Sequence, residues 1–203
     1  MGLRESLKPR IQDWVMGVMD DLRPETVGLV DGEVLEVGFG TGRNLALYPA
    51  AVKSLVGVDP LVTEGVAAVD ERVARAPFPV TRSALAVDGG LPFDAGRFDC
   101  VVTTWTLCSI PDAPAALAEM RRVLKPGGRY LFVEHGRSQR ASTARWQDRL
   151  NPLWRRLADG CNIDRPIDRL VADSGFELAS LERFRGKGPG VLAAMYRGVA
   201  TRA

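Results

Sequence analysis

The sequence predicts a doubly wound α/β domain: a seven-stranded, mostly parallel sheet with an antiparallel last strand, plus an N-terminal helix. Two observations carry this expectation. From residue 33 onward, short apolar runs alternate with helical patterns, the order that builds a parallel sheet covered by helices. Near the C-terminus the alternation stops. Two strand-like runs are joined there by Arg185-Gly-Lys-Gly-Pro-Gly190, which is too short for a crossover helix, so they should lie antiparallel. At 203 residues and 46% hydrophobic content, one domain spanning residues 1–203 has enough apolar material for a substantial core.

The elements follow in order. Ile11, Trp14, Val15, Val18, Met19 and Leu22 recur with helical spacing, and Pro9 is tolerated near the start, so the chain opens with an amphipathic helix. Strands are expected at 34–38, 54–59, 78–87, 98–104 and 129–135, with helices at 42–48, 63–74 and 112–124 between them. The last of these helices has Asp112 as a cap, Pro114 in its first turn and Gly127-Gly128 beyond its end. A long helical region rich in Arg and Trp follows residue 140, then a helix at 165–174 and the two final strands at 176–184 and 191–199. No repeat, low-complexity tract or linker divides the chain.

Composition narrows the function. The chain has 27 Lys+Arg against 25 Asp+Glu, a net charge of +2, so no overall field draws it to nucleic acid or an anionic membrane. The local run of Arg137, Arg140, Arg145, Arg149, Arg155 and Arg156 reads as a solvated helix face. Cys100, Cys108 and Cys161 are odd in number and unclustered, which suits neither a disulfide framework nor the paired spacing of a zinc site; no metal is expected, and a reducing cytoplasm is the expected location. No apolar run approaches the roughly 18 residues of a membrane span.

The stretch Glu36-Val-Gly38-Phe-Gly40-Thr-Gly42 places three glycines on a strand-to-helix turn, where a ligand must come close to the backbone. A dinucleotide fingerprint would put the third glycine at position 43, which is Arg. Asp59, ending the second strand, can accept both hydroxyls of an adenosine ribose. That acid suits a nicotinamide dinucleotide and S-adenosylmethionine alike.

Further along, Leu91-Pro-Phe-Asp-Ala-Gly-Arg-Phe-Asp99, Val101-Val102 and Val123-Leu-Lys-Pro-Gly-Gly128 follow in order. Together with the glycine turn, this series over residues 34–135 resembles the class I S-adenosylmethionine-dependent methyltransferases, whose Rossmann-like sheet also ends in a reversed strand. The resemblance implies S-adenosyl-L-methionine as cofactor. It places Gly38, Gly40 and Gly42 at the methionine half, Glu36 in support of that loop or of the cofactor's ammonium, and Asp59 on the ribose. Asp88 would meet the adenine amino group, although it is also a natural turn former before Gly89-Gly90. Thr104 would line the methionine side. Asp99, opening a strand at the opposite end of the sheet, reads as structural.

A sulfonium methyl is already electrophilic, so such an enzyme chiefly aligns the acceptor and excludes water, and needs a base only for a protonated acceptor. His135, the one histidine, ends the fifth strand at the rim where doubly wound sheets keep reactive groups, and is the candidate base. Its neighbour Glu134 should face the opposite side of the sheet. Thr106-Leu-Cys108-Ser109, Glu134-His135, Trp146-Gln147, Asn151-Pro-Leu-Trp154 and Asp159-Gly-Cys161-Asn162 together resemble methyltransferase-like proteins that methylate small alkyl thiols. This implies a thiol acceptor on a small, largely apolar molecule. Transfer to O, N or C of a natural product or quinone-like substrate stays open, as does a non-catalytic cofactor-binding or scaffold role. Trp105, Trp146 and Trp154 are candidate walls of an apolar acceptor pocket, with Cys161 near it. Nothing in the sequence around Cys161 implies a depressed pKa. Thr104-Trp-Thr-Leu after the fourth strand lacks the series of amino-methylating DNA enzymes, so nucleic acid is not an expected partner.

Overall fold

The computed structural model describes residues 17–60, 65–85 and 90–203. Its strands are β1 (Gly32–Val37), β2 (Val52–Val58), β3 (Val80–Ser83), β4 (Phe98–Thr104), β5 (Leu124–His135), β6 (Phe176–Arg185) and β7 (Ala194–Arg202). Its α-helices are α1 (Pro24–Val27), α2 (Ala67–Ala74), α3 (Ala113–Val123), α4 (Ala141–Leu157) and α5 (Ile167–Asp173). The seven strands form one sheet in the order β3-β2-β1-β4-β5-β7-β6. The first five run parallel, and β7 is antiparallel to β5 and also to β6, the latter pairing being what the short final link requires. The inner strands read as unbroken apolar runs because both faces are covered. Adjacent Val34 and Leu35 enter different clusters. Leu35 packs with Leu117, Met120 and Val123 of α3 and Ile167 and Val171 of α5, whereas Val34 packs with Val27 of α1, Leu45, Tyr48 and Val69 of α2.

The ends of the sheet have separate tasks. At the amino end of β4, Asp99 accepts from Glu33 N and Lys125 Nζ, each at 2.8 Å, which ties three strands together as a structural acid would. The carboxyl ends of β1, β2, β4 and β5 meet on the opposite side and carry the polar residues treated below.

Several boundaries depart from the sequence expectation for physical reasons. The helix expected at 42–48 is only a 3₁₀ turn, Leu45–Leu47. Pro49 forces Tyr48 into extended backbone, with φ −68° and ψ 136°, and so stops the helix. Strand β5 begins at Leu124, before the expected 129, because Pro126-Gly127-Gly128 runs within the strand across a register shift opposite Phe98 and Cys100. Of the expected first helix, only Gly17–Leu22 is described, as a 3₁₀ segment, and the rest lies outside the described residues. Asp88 also lies outside them. Among the described residues no helix is long and apolar enough to cross a membrane.

Candidate active site

The glycine turn leaves β1 with Gly38 and Phe39 donating to Val58 O at 2.8 and 3.2 Å, and with Gly40 N donating to Asp59 Oδ2 at 2.8 Å. Asp59 thus fixes the loop at its middle glycine. Gly38 has φ +83°, and a Cβ there would lie 1.9 Å from Thr106 Oγ1, so no other residue fits. At Gly40 a Cβ would meet nothing nearer than Gly38 O at 3.9 Å. The loop is therefore tied down on one side and open on the other, which suits a cofactor that approaches the backbone.

Beneath the loop lies a buried polar network. Glu36 Oε1 accepts from Asn44 Nδ2 at 2.7 Å and Oε2 from the Tyr48 hydroxyl at 2.9 Å. Burial pushes the Glu36 carboxyl up to about 7, against these two hydrogen bonds and the pull of Arg23. Arg23 is itself buried, and its Nη1 donates to Asn44 Oδ1 at 2.9 Å and Thr104 Oγ1 at 3.0 Å. Its Nε donates to Asp20 at 3.1 Å, and Asp20 also binds Arg43. Burial lowers the Arg23 pKa, with Asp20 opposing. The guanidinium carbon stands 4.8 Å from the Trp105 ring centroid, within cation–π range.

After β4 the chain turns sharply. Trp105 has φ +53°, an uncommon region for a bulky side chain, and its N–H donates to Val133 O at 2.9 Å. Glu134 holds this turn: its carboxylate accepts from Thr106 N, Leu107 N and Cys108 N at 3.1, 3.0 and 3.2 Å. Burial raises the Glu134 pKa despite those three donors. Trp105 packs with Val133, Met195, Met19, Leu22 and Phe184, and its indole N–H has no partner.

Cys108, thus positioned, meets Cys161 and His135. The cysteine sulfurs are 3.6 Å apart, and one donor atom from each of the three residues lies within 4.8 Å of the other two. The reading of the cysteines as unclustered is corrected here, since residues 53 apart in sequence touch in space. Among the described residues this is also the only group of three donors close enough to hold a metal ion. The hydrogen bond between the sulfurs draws Cys161 down to about 5, with His135 adding to the pull against burial, and raises Cys108 well above its usual range. The depressed Cys161 is a second departure from the sequence reading.

Two asparagines hold the Cys161 loop in place. Asn162 donates through its backbone and side chain to Cys108 O at 2.8 and 2.9 Å, while Asn151 Oδ1 accepts from Ile163 N at 3.0 Å. Trp154 packs against Cys108, Cys161 and Ile163, and its indole N–H adds to the pull that lowers the Cys161 thiol. Gln147 donates to Gly136 O at 3.1 Å and Val191 O at 3.0 Å and accepts from Ser138 N, which locks α4 to the segment after His135.

The carboxyl end of the sheet therefore brings together Glu36, Gly38, Gly40, Gly42, Asp59, Thr104 and Trp105, and beside them His135 with Cys161. Trp146 is elsewhere: it is 54% exposed and stacked by Arg149 at 5.4 Å, so it faces solvent rather than a pocket interior. Its neighbour Gln147 is the inward member of that pair. Sequence reasoning missed Arg23, Asn44, Tyr48, Asn151 and Asn162 as site builders. Only Asn151 and Asn162 stood within recognisable motifs, and nothing local marked Arg23 as buried.

Comparison with known proteins agrees with this geometry. A methyltransferase-domain family model matches residues 35–132. Thiol S-methyltransferase TMT1A of Homo sapiens is 32% identical over 155 residues, covering 75% of this chain and 63% of that protein. The chain thus spans less than two thirds of that relative. Phosphatidylethanolamine N-methyltransferase of Cereibacter sphaeroides is 30% identical over 148 residues, covering 72% of this chain and 71% of that protein. A crystal structure of an S-adenosylmethionine-dependent methyltransferase from Thermotoga maritima shares the fold, with TM-score 0.67 at 19% identity over 98% of both chains. With S-adenosylmethionine as its cofactor, the chain belongs to the class I S-adenosylmethionine-dependent methyltransferases.

Proposed function

We propose that the protein transfers the methyl group of S-adenosylmethionine to the thiol of a small, largely apolar molecule, with His135 accepting the thiol proton. The observation that carries this reading is the convergence of Cys108, His135 and Cys161, from three separate stretches of chain, beside the ends of β4 and β5. The likeness to a protein named a thiol S-methyltransferase supports it. When bound, S-adenosylmethionine supplies the electrophilic sulfonium methyl. The open side of Gly40 and the tight fit at Gly38 suit close approach of the methionine half to Gly38, Gly40 and Gly42. Asp59 receives the ribose hydroxyls, Glu36 supports the loop, Thr104 lines the methionine side and Asp88 takes the adenine amino group.

Proton transfer follows from the cluster's chemistry. A free thiol has a pKa of about 8.5 and is mostly protonated at neutral pH, so its transfer is helped by a nearby proton acceptor, the role given to His135. The Cys161 sulfur, hydrogen-bonded to His135, orients the imidazole beside the acceptor. Cys161 is then a positioning residue for His135. Trp105 and Trp154 offer apolar indole surfaces to an acceptor, and an aromatic face also favours a sulfonium.

The test is competition among a small alkyl thiol, a phenol and an amine for methyl from S-adenosylmethionine, read by mass spectrometry. The methyl thioether should dominate. Methylation of the amine or phenol alone would reject the thiol assignment, and an amine product would favour the nitrogen chemistry in the name of the Cereibacter relative.

A further inference from the structure

Helix α4 has two faces with different surroundings. Its inner face buries Ala144, Gln147 and Asn151 against the domain. Its outer face exposes Trp146, Leu150, Leu153 and Leu157 by 54, 38, 58 and 73%. These are four of the six large hydrophobic residues exposed among the described residues. At about 100° per residue the four fall within an arc of about 60°, so they form one continuous stripe. Scattered exposed leucines are ordinary, but an aligned stripe marks a contact surface. Arg145, Arg149 and Arg156, all exposed, run along one border of it. Asp148, the one carboxylate within Ala141–Leu157, is bound by Arg137 at 2.9 Å and does not neutralise that row.

We propose that this outer face of α4 docks the protein on an anionic lipid membrane, with the Trp and Leu stripe entering the interface and the arginine row meeting lipid phosphates. An in-plane helix of this kind combines an apolar strip with flanking cations. The net charge of +2 hides the row, because it is a local excess. A nucleic acid would use the arginines but leave the stripe in water. A second copy paired stripe to stripe would gather two arginine rows at one seam with no free carboxylate on either helix to offset them. Because the inner face of α4 bears Gln147 and Asn151, docking sets the acceptor side of the site next to the bilayer. The proposal holds whichever atom accepts the methyl.

The test is co-sedimentation of the full chain with phosphatidylcholine vesicles, with and without phosphatidylserine. The chain should bind the phosphatidylserine vesicles and lose affinity as salt rises. Changing Arg145, Arg149 and Arg156 to Gln should weaken binding about fivefold each, or about a hundredfold together, and Leu153→Ser with Leu157→Ser at least tenfold. All these residues are exposed, and unchanged S-adenosylmethionine affinity in each variant confirms an intact fold. Failure to bind phosphatidylserine vesicles overturns the proposal, whether the stripe proves to be covered by a second copy or by the chain's own N-terminal segment. Binding that survives the leucine changes also overturns it, since charge alone, as with nucleic acid, would then explain the contact.

Discussion

Replacing Glu36 with Gln separates the cost of its buried charge from its hydrogen bonds. The amide keeps the shape: its oxygen can accept from Asn44 Nδ2, and its nitrogen can donate to the Tyr48 hydroxyl oxygen, so the network stays satisfied. What is lost is titration. The folded-state pKa of about 7, against 4.5 for the exposed group, means the folded protein holds this proton more tightly than the unfolded chain. The sign follows directly. Glu36 contributes its stabilisation fully below about pH 4.5 and loses it as pH rises through about 7. Holding the proton that far above the ordinary carboxyl range is worth about 3 kcal/mol in full, most of it lost between pH 5 and pH 8. Urea unfolding of wild type and Glu36→Gln at both values measures this, since the other titrating groups largely cancel in the comparison. Wild type should lose about 2–3 kcal/mol more than the variant across that interval. Parallel stability profiles would refute the reasoning and place the Glu36 pKa near its ordinary value.

Other outcomes follow from the same geometry. Asp59→Ala should weaken S-adenosylmethionine binding by about 1–3 kcal/mol in a calorimetric titration, the scale of a lost charged hydrogen-bond partner, and unchanged affinity would remove it from the ribose site. His135→Ala should slow thiol methylation with cofactor affinity nearly unchanged, and the deficit should shrink as pH rises and the thiol ionises unaided; a wild-type rate and pH profile would end its role as base. Asn162→Ala removes the side-chain hydrogen bonds to Cys108 O and Gly160 O while keeping the backbone one, and should cost about 1–3 kcal/mol of stability, read by urea unfolding, with the Cys161 thiolate moving towards an ordinary thiol pKa by ultraviolet titration. If added zinc occupies the Cys108 and Cys161 sulfurs, it should inhibit wild-type methylation by taking the His135 lone pair, and should not inhibit a Cys108→Ala, Cys161→Ala variant that retains activity.

The parts of this protein that were legible in the sequence are those whose physics is local. The glycine turn, the acid closing β2, the alternation of strand and helix and the short link between β6 and β7 each announce themselves within a few residues. The buried network was not legible, because Arg23, Asn44, Tyr48 and Thr104 meet across 81 residues of chain and no spacing rule connects them. The same holds for Cys108 and Cys161, which the Glu134-stapled turn and the two asparagines bring together. Trp146 shows the opposite limit. An aromatic inside a recognisable motif looked like a pocket wall, but helical phase turned Gln147 inward and Trp146 to solvent. At 42–48 apolar spacing suggested a helix, and Pro49 together with the hydrogen bond from Tyr48 to Glu36 decided otherwise.

The measurement that tests the account most directly is calorimetric titration of the protein with S-adenosylmethionine, S-adenosylhomocysteine and NADH, repeated on Asp59→Ala. Binding of the first two but not the third, and weaker binding in the variant, is the predicted result and places the methyl donor in the cleft at Glu36–Gly42. Binding of NADH in place of S-adenosylmethionine, or donor affinity indifferent to Asp59, would contradict the assignment of that cleft and with it the proposed path of the acceptor proton to His135.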